Sequence, residues 1–284
     1  MDIRLGDNQY GKAETRLVRV NRGETGHEIT DLNVTTTLSG DLAATHLTGD
    51  NSGVLPTDTQ KNTVYAFARD GVGEIEDFAL RLARHFVDGT PTIRRARVRI
   101  EQYSWERYGH HSFVHNSGIR TASVTYDGTA VTVVSGVDDL TVLNTTGSEF
   151  HGFHKDRYTT LPETHDRILA TAVTARWRHE HPENEDWRSS HKEATSHLLE
   201  AFADTHSLSL QQTLYAMGER VLRERDELVE VRLSLPNKHH FLVDLSPFEL
   251  DNPGEVFFAA DRPYGLIEGT VVRDGAPDPG LAWW

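Results

Sequence analysis

Residues 73–86 read GEIEDFALRLARHF, and within them Ile75, Phe78, Ala79, Leu82 and Phe86 recur at the 3.6-residue period of an amphipathic helix. Glu74, Glu76 and Asp77 crowd the start, where the helix dipole favours negative charge. The residues on either side have strand character instead. Upstream, Thr15 to Val20 sets Leu17 or Val18 among polar neighbours, and Asp31 to Leu42 is rich in valine, threonine and leucine, so the two read as a hairpin. Downstream come strand patterns at Ile93 to Gln102 and about His111 to His115. Another pair follows, Arg120 to Tyr126 and Ala130 to Gly136, joined by Asp127-Gly128, a strong hairpin signal. The order then repeats. Leu140 to Leu143 is strand-like, helical spacing covers about Glu163 to Trp177, Glu193 to Thr205 and Leu210 to Arg223, and strand composition returns at Val229 to Leu235, Phe241 to Leu245, Val256 to Ala260 and Leu266 to Val272. Strands, helices and strands in two successions predict an α+β chain of two related units with antiparallel sheets and helices on one face. The boundary falls near Gly136 to Asp139, giving domains 1–137 and 138–284 with no flexible linker between them.

Composition narrows the chemistry without naming it. The chain has 284 residues, 37% hydrophobic and 25% charged, the balance of a compact globular protein. It contains no cysteine, which removes disulfides, thiolate nucleophiles, iron–sulfur clusters and cysteine-ligated zinc. A net charge of −14 disfavours phosphate backbones and anionic lipid, so neither nucleic acid nor membrane is an expected partner, although a local cationic pocket remains compatible with a small anion. No apolar run approaches the roughly 18 residues of a membrane span. Met1 to Tyr10 lacks a basic-then-apolar leader pattern, so a cytoplasmic location is the expectation. Gly71 and Gly73 have neither dinucleotide-binding nor Walker-type spacing and read as a turn before the helix. Sixteen histidines raise the question of a metal, notably at His110, His111 and His115, at His151 and His154, and at His179 and His181. No His-Glu-x-x-His motif accompanies them, so solvated or hydrogen-bonded imidazoles are the preferred reading. No metal site is expected, with copper as a minor alternative.

Four strings carry a resemblance: Tyr10-Gly11-Lys12, Thr57 through Thr63 (TDTQKNT), Phe150 through Leu161, and Ser234 through His239 (SLPNKH). In that order, and continuing to Tyr264-Gly265-Leu266-Ile267, the sequence resembles the urate oxidase (uricase) family over nearly its whole length. The resemblance implies two tandem tunnelling-fold units of ββααββ type, whose subunits associate into stacked barrels as a homotetramer. It implies oxidation of urate by O2 and water to 5-hydroxyisourate and hydrogen peroxide, with O2 as co-substrate and no cofactor. It also implies active sites shared between subunits, one chain giving Lys12, Thr57 and Asp58 and its neighbour Phe150, Arg167, Leu210, Gln211, Asn237 and His239. Lys12, Thr57 and His239 would handle protons, while Thr57, Asp58, Phe150, Arg167, Leu210, Gln211 and Asn237 would bind substrate. The chain departs from some relatives at His151, where tryptophan is familiar, and at Leu210, where valine also occurs. Many eukaryotic relatives end in a peroxisomal Ser-Lys-Leu signal, and this chain ends in Ala282-Trp283-Trp284.

These residue types suit the substrate. Urate is a flat, electron-rich anion with amide-like edges, matched by an aromatic face, the planar fork of an arginine and a glutamine amide that both donates and accepts. Each residue taken alone has a plainer reading. Phe150 and Leu210 are ordinary core types, Arg167 follows Asp166 on a predicted helix surface, and Gln211 follows Ser207 and Ser209 at a helix cap. Thr57 suits a turn, Lys12 a solvated surface, and His239 a strand end between Lys238 and His240. Two other functions stay open: ring hydrolysis of a pterin or purine on the same fold, which would call for a metal or another hydrolytic group, and non-catalytic purine binding.

Overall fold

The computed structural model describes residues 2–183, 186–260 and 262–284. In the first half, β1 (Tyr10–Gly23) and β2 (Gly26–Gly40) pair antiparallel, and three helices follow, α1 (Ala43–Leu47), α2 (Thr57–Asp70) and α3 (Ile75–Gly89). Then come β3 (Ile93–Tyr108), β4 (Ser112–Tyr126) and β5 (Val131–Asn144). The rest of the chain supplies β6 (Leu169–His179), α4 (Trp187–Asp204), α5 (Leu210–Glu224), β7 (Leu228–Asn237), the short β8 (His240–Leu242) and β9 (Phe257–Ala259), and β10 (Gly265–Val272). The protein is an α+β fold with a large antiparallel sheet.

Contacts divide it into two compact units. The first comprises the chain to Gly136, with Trp177–His191 and Pro277–Trp284; the second comprises Val137–Arg176 and Lys192–Ala276. In the first, the strand order is β1-β2-β3-β4-β5, and the residues that set the helical period in the sequence fill its core. Phe78, Leu82 and Phe86 of α3 are fully buried in one core with Leu32, Val34 and Leu38 of β2 and Val98 and Ile100 of β3. Each such side chain contributes about 1.5–3 kcal/mol of transfer free energy. The Asp127-Gly128 turn forms as read, with Gly128 at φ 89° and the Asp127 carboxylate accepting from the N–H groups of Thr129 and Ala130 at 3.0 and 2.7 Å. In the second unit β6, β7 and β10 are neighbours in that order, and α5 packs on β7 and β10. Gly218 of α5 brings the helix close, because a Cβ there would meet the Val271 side chain at 2.6 Å.

Three sequence expectations need correction. The helix expected over Glu163 to Trp177 is absent: residues 169–179 are strand β6, with Leu169, Thr171, Val173, Ala175 and Trp177 buried at period two. β-branched Thr171, Val173 and Thr174 favour that outcome. The stretches expected at about His111 to His115 and at Arg120 to Tyr126 fall in one strand, β4 (Ser112–Tyr126), with Gly118 between them at φ 81°. Ala130 to Gly136 likewise runs on through Leu140 to Leu143 as β5. Helix α2 was not read from the sequence at all. It buries only Gln60, Val64 and Ala68, a narrow stripe that leaves little periodic signal.

Candidate functional site

In the first unit, three of the nominated residues are drawn together by buried polar clamps. The Tyr10 hydroxyl donates to the Leu55 carbonyl and accepts from the Leu55 N–H, both at 3.0 Å, tying the start of β1 to the segment that enters α2. The Thr36 hydroxyl donates to Gln60 Oε1 at 2.7 Å and accepts from the Lys12 N–H at 3.3 Å, while Gln60 Nε2 donates to the Leu55 carbonyl at 3.3 Å. Gln60 is fully buried, so this amide is committed to position. Lys12 sits at a β-bulge, where the register with β2 shifts between Lys12 and Thr15 and Glu14 takes φ 55°. Gly11 is required beside it, since any Cβ there would collide with the Thr36 carbonyl. Pro56 precedes Thr57, the first residue of α2. Exposed Asp58 accepts from Lys61 Nζ at 2.6 Å and Asn62 Nδ2 at 2.9 Å. Its pKa is held below the usual carboxylate value by the Lys61 hydrogen bond and charge, with a further contribution from the charge of Lys12.

In the second unit Phe150, Arg167, Asn237 and His239 line one cavity of about 500 Å³, with Leu161 and Phe257 among its apolar walls. Two backbone bridges hold Phe150. Ser148 pairs in parallel with Ser207, and Phe150 exchanges both hydrogen bonds with Thr164, at 2.8 and 3.0 Å. The guanidinium of Arg167 lies 5.2 Å from the Phe150 ring centroid and donates through Nε to the buried Ser148 hydroxyl at 3.2 Å. It sits in an extended segment entering β6, not on the helix surface expected from the sequence. Burial lowers its pKa, and among the described residues no carboxylate forms an ion pair with it. That leaves a partly desolvated positive charge turned to the cavity. Phe153 stacks on Phe150 at 4.9 Å and 14°. Asn237 ends β7, opposite Gly265. His239 stacks on Phe241 at 5.7 Å, and its pKa is lowered, first by burial and then by the charges of Arg167 and His240. The ring is therefore neutral near pH 7 and able to accept a proton.

Leu210 and Gln211 open α5 but do not line this cavity; Leu210 is buried and Gln211 exposed. Their helix start is nevertheless tied to the Phe150 segment, because Glu149 N–H donates to the Ser207 carbonyl at 2.7 Å and the Thr213 hydroxyl to the Ser207 hydroxyl at 2.8 Å. Ser209 is the cap, accepting from Gln212 N–H at 3.2 Å. Sequence reasoning missed Thr36, Gln60 and Ser148, the groups that hold the nominated residues. The places of Gln60 inside the string 57–63, and of Ser148 just ahead of Phe150 in a matching string, were the hints of a role.

Of the histidine groups read as hydrogen-bonded or solvated, His110 and His111 pack with His27, His115 lies edge-on to Trp105, and buried His179 meets the Ser135 hydroxyl at 3.1 Å.

A half-buried arginine with no carboxylate ion pair among the described residues thus lies beside an aromatic face, with an imidazole and an amide on the same cavity wall, donors and surfaces that suit a flat, electron-rich anion. The sequence profile of one family, Uricase, matches residues 8–130 and 133–268. The uricase of Arthrobacter globiformis is 55% identical over 275 residues, covering 96% of this chain and 91% of that one. The uricase of Dictyostelium discoideum is 38% identical over 280 residues, covering 95% and 97%. The crystal structure of uricase from Arthrobacter globiformis superimposes with a TM-score of 0.95 at 53% identity, covering 100% and 99%. This chain belongs to the uricase family.

Proposed function

We propose that this protein is a urate oxidase that converts urate, O2 and water to 5-hydroxyisourate and hydrogen peroxide without a metal or organic cofactor. The carrying observation is the partly buried Arg167 charge, set beside Phe150 in the cavity of a chain of the uricase family. In this reading Phe150 stacks on the purine and Arg167 grips a carbonyl and a ring nitrogen with its fork. Leu210 borders the ring, and Gln211 reads the opposite amide edge. Asp58 contributes its backbone, and Asn237 holds oxygen or water above the ring. Lys12 positions or deprotonates Thr57, and Thr57 and His239 move the protons.

Loss of a proton from bound urate raises its electron density, and the substrate then supplies both electrons to O2. Recombination at C5 forms a C–O bond and a hydroperoxide. Water then adds at C5 as the peroxide leaves, and proton transfer completes hydrogen peroxide. Urate plus O2 plus H2O thus equals 5-hydroxyisourate plus H2O2, with no external reductant. The protein's part is orientation and proton control.

The same reading divides the sequence into two related tunnelling-fold domains, 1–137 and 138–284, assembled as stacked barrels in a homotetramer, and places the enzyme in the cytoplasm. It supposes that Lys12, Thr57 and Asp58 of one subunit complete the pocket of another. Oxygen uptake and peroxide release by metal-stripped protein given urate test the chemistry. Wild type is expected to consume and release them in equal amounts, and Thr57→Ala to be roughly a hundredfold slower or worse. Absence of urate-dependent oxygen uptake by folded wild type would overturn the proposal and favour purine binding or hydrolysis. Sharing is tested by mixing and reassembling Thr57→Ala and Arg167→Ala subunits. If sites are shared, random pairing restores both sets in up to about a quarter of them; no recovery in verified hybrids means each site is built from one chain.

A further inference from the structure

On the segment that carries Phe150, the Glu149 carboxylate gathers three imidazoles. Its Oε2 lies 3.0 Å from His151 Nε2 and 3.4 Å from His165 Nδ1, and its Oε1 lies 2.6 Å from His206 Nε2. The rings of His151 and His165 are 4.5 Å apart between centroids. One donor atom from each of Glu149, His151 and His165 falls within a 4.8 Å span. All three histidines are exposed while Glu149 is mostly covered, which leaves the imidazole side open to solution. Glu163 adds a second carboxylate: its oxygen accepts from the Gly152 N–H at 3.3 Å and from Lys155 at 2.8 Å, and its pKa is lowered by those partners and in part by His151.

We propose that Glu149, His151 and His165 form a binding site for a divalent transition-metal ion of the zinc class, with His206 orienting the carboxylate from outside the ligand set. Two imidazoles and a carboxylate are donors that zinc accepts, at about 2.0–2.2 Å each. Tetrahedral ligands at that range lie roughly 3.3 Å from one another, close to the two separations already present between Glu149 and its imidazoles. The remaining separation, between the His151 and His165 nitrogens, is within 4.8 Å, and closing it onto a common centre is the adjustment the ion requires. His206, hydrogen-bonded to the oxygen that is not shared, plays the part that outer-shell partners commonly play for ligating carboxylates. Solvent access to the exposed rings leaves a position for water.

Such an ion joins residues 149 and 151 to 165, and so fastens the strand segment on both sides of Phe150 to the one that runs into Arg167. This site lies outside the proposed oxidation chemistry, and its test does not depend on that chemistry. Metal-stripped full-length protein is titrated calorimetrically with zinc chloride at neutral pH. One equivalent per chain is expected, weakened roughly tenfold or more in His151→Ala and lost in His151→Ala/His165→Ala, but kept in His110→Ala/His111→Ala. Magnesium, which prefers oxygen ligands, is expected to produce no binding heat. Zinc should also raise Tm in wild type and not in the His151→Ala/His165→Ala protein, since an ion that binds only the folded state stabilises it. Exposed histidines make these variants safe for folding, and circular dichroism checks it. No zinc binding by wild type, or unchanged affinity in the double variant, overturns the proposal.

Discussion

His191 links stability to pH in a way that one substitution can isolate. It lies in the first turns of α4, where the positive end of the helix dipole disfavours a cation. Its Nε2 meets the Gly136 carbonyl at 3.1 Å and its ring packs 5.5 Å from Trp177. Burial first, and then the charge of Arg120, lower its pKa to about 4, while the Gly136 carbonyl and Glu74 pull the other way. The unfolded chain restores a value near 6.5. Between these values the unfolded state binds more protons, so the stability contributed by neutral His191 is complete above the unfolded pKa. It drains as pH falls and is gone below the folded pKa. The depression corresponds to roughly 3 kcal/mol in all, of which about 2 kcal/mol is lost between pH 7 and pH 5. At fixed chain concentration that is a Tm drop of about 5 °C. The assay is thermal unfolding of wild type and His191→Gln at both pH values. Gln keeps a donor for Gly136 but cannot titrate, so its Tm should start lower and fall about 5 °C less over the interval. An equal fall in the two proteins would refute the assignment, because the pH sensitivity would then reside in other groups.

Two substitutions test single interactions. Arg167→Lys keeps the charge and loses the planar fork, and is expected to lower kcat/KM for urate by roughly ten- to a hundredfold, the worth of one charge-assisted hydrogen bond; steady-state kinetics at several urate concentrations decide, and unchanged kcat/KM would show that only charge matters. Arg120 donates to Glu74 and to buried Glu76, both at 2.7 Å, and Ser135 donates to Glu76 at 2.8 Å. Arg120→Met strands a carboxyl whose pKa burial already raises, and should destabilise by about 3–5 kcal/mol in urea melts, with Arg120→Met/Glu76→Gln recovering part of the loss.

How much of this was legible in the sequence depended on whether a residue sits within an element or at its end. Helix α3 was readable because its apolar stripe is broad: Ile75, Phe78, Ala79, Leu82, Ala83 and Phe86 are all buried. The α5 range was found for the same reason. Strand β6 was misread because Leu169, Val173 and Trp177 are four apart, a spacing that fits one face of a helix as well as one side of a strand. The intervening Thr171 and Ala175, equally buried, decide for the strand. Site residues lay beyond periodicity altogether. Lys12 is at a bulge, Thr57 begins a helix, Phe150 is held by isolated bridges, and Asn237 and His239 lie at and just beyond the end of a strand. Only contiguous strings could nominate them. Their holders Thr36, Gln60 and Ser148 are separated from them in sequence or unremarkable in type, and pairing across strands and segments is what brings them into place.

The electrostatics of the cavity resolve an apparent conflict with composition. A chain of net charge −14 repels an anion at long range, but that field is screened over roughly 10 Å in physiological salt. Inside the pocket the charged lining groups are Arg167 and Asp166, and Asp166 is engaged by the Thr146 hydroxyl and the Gly147 N–H. Arg167 is partly desolvated and spends its Nε donor on a neutral hydroxyl, and among the described residues no carboxylate forms an ion pair with it. Burial, and then the same charge, lower the His239 pKa. In the proposed reaction Arg167 would hold the anion and His239, as the base, would take its proton. A protonated His239 would bind the anion more strongly and lose the capacity to accept its proton. Activity should therefore fall on acidification through the depressed His239 pKa, whatever happens to urate affinity.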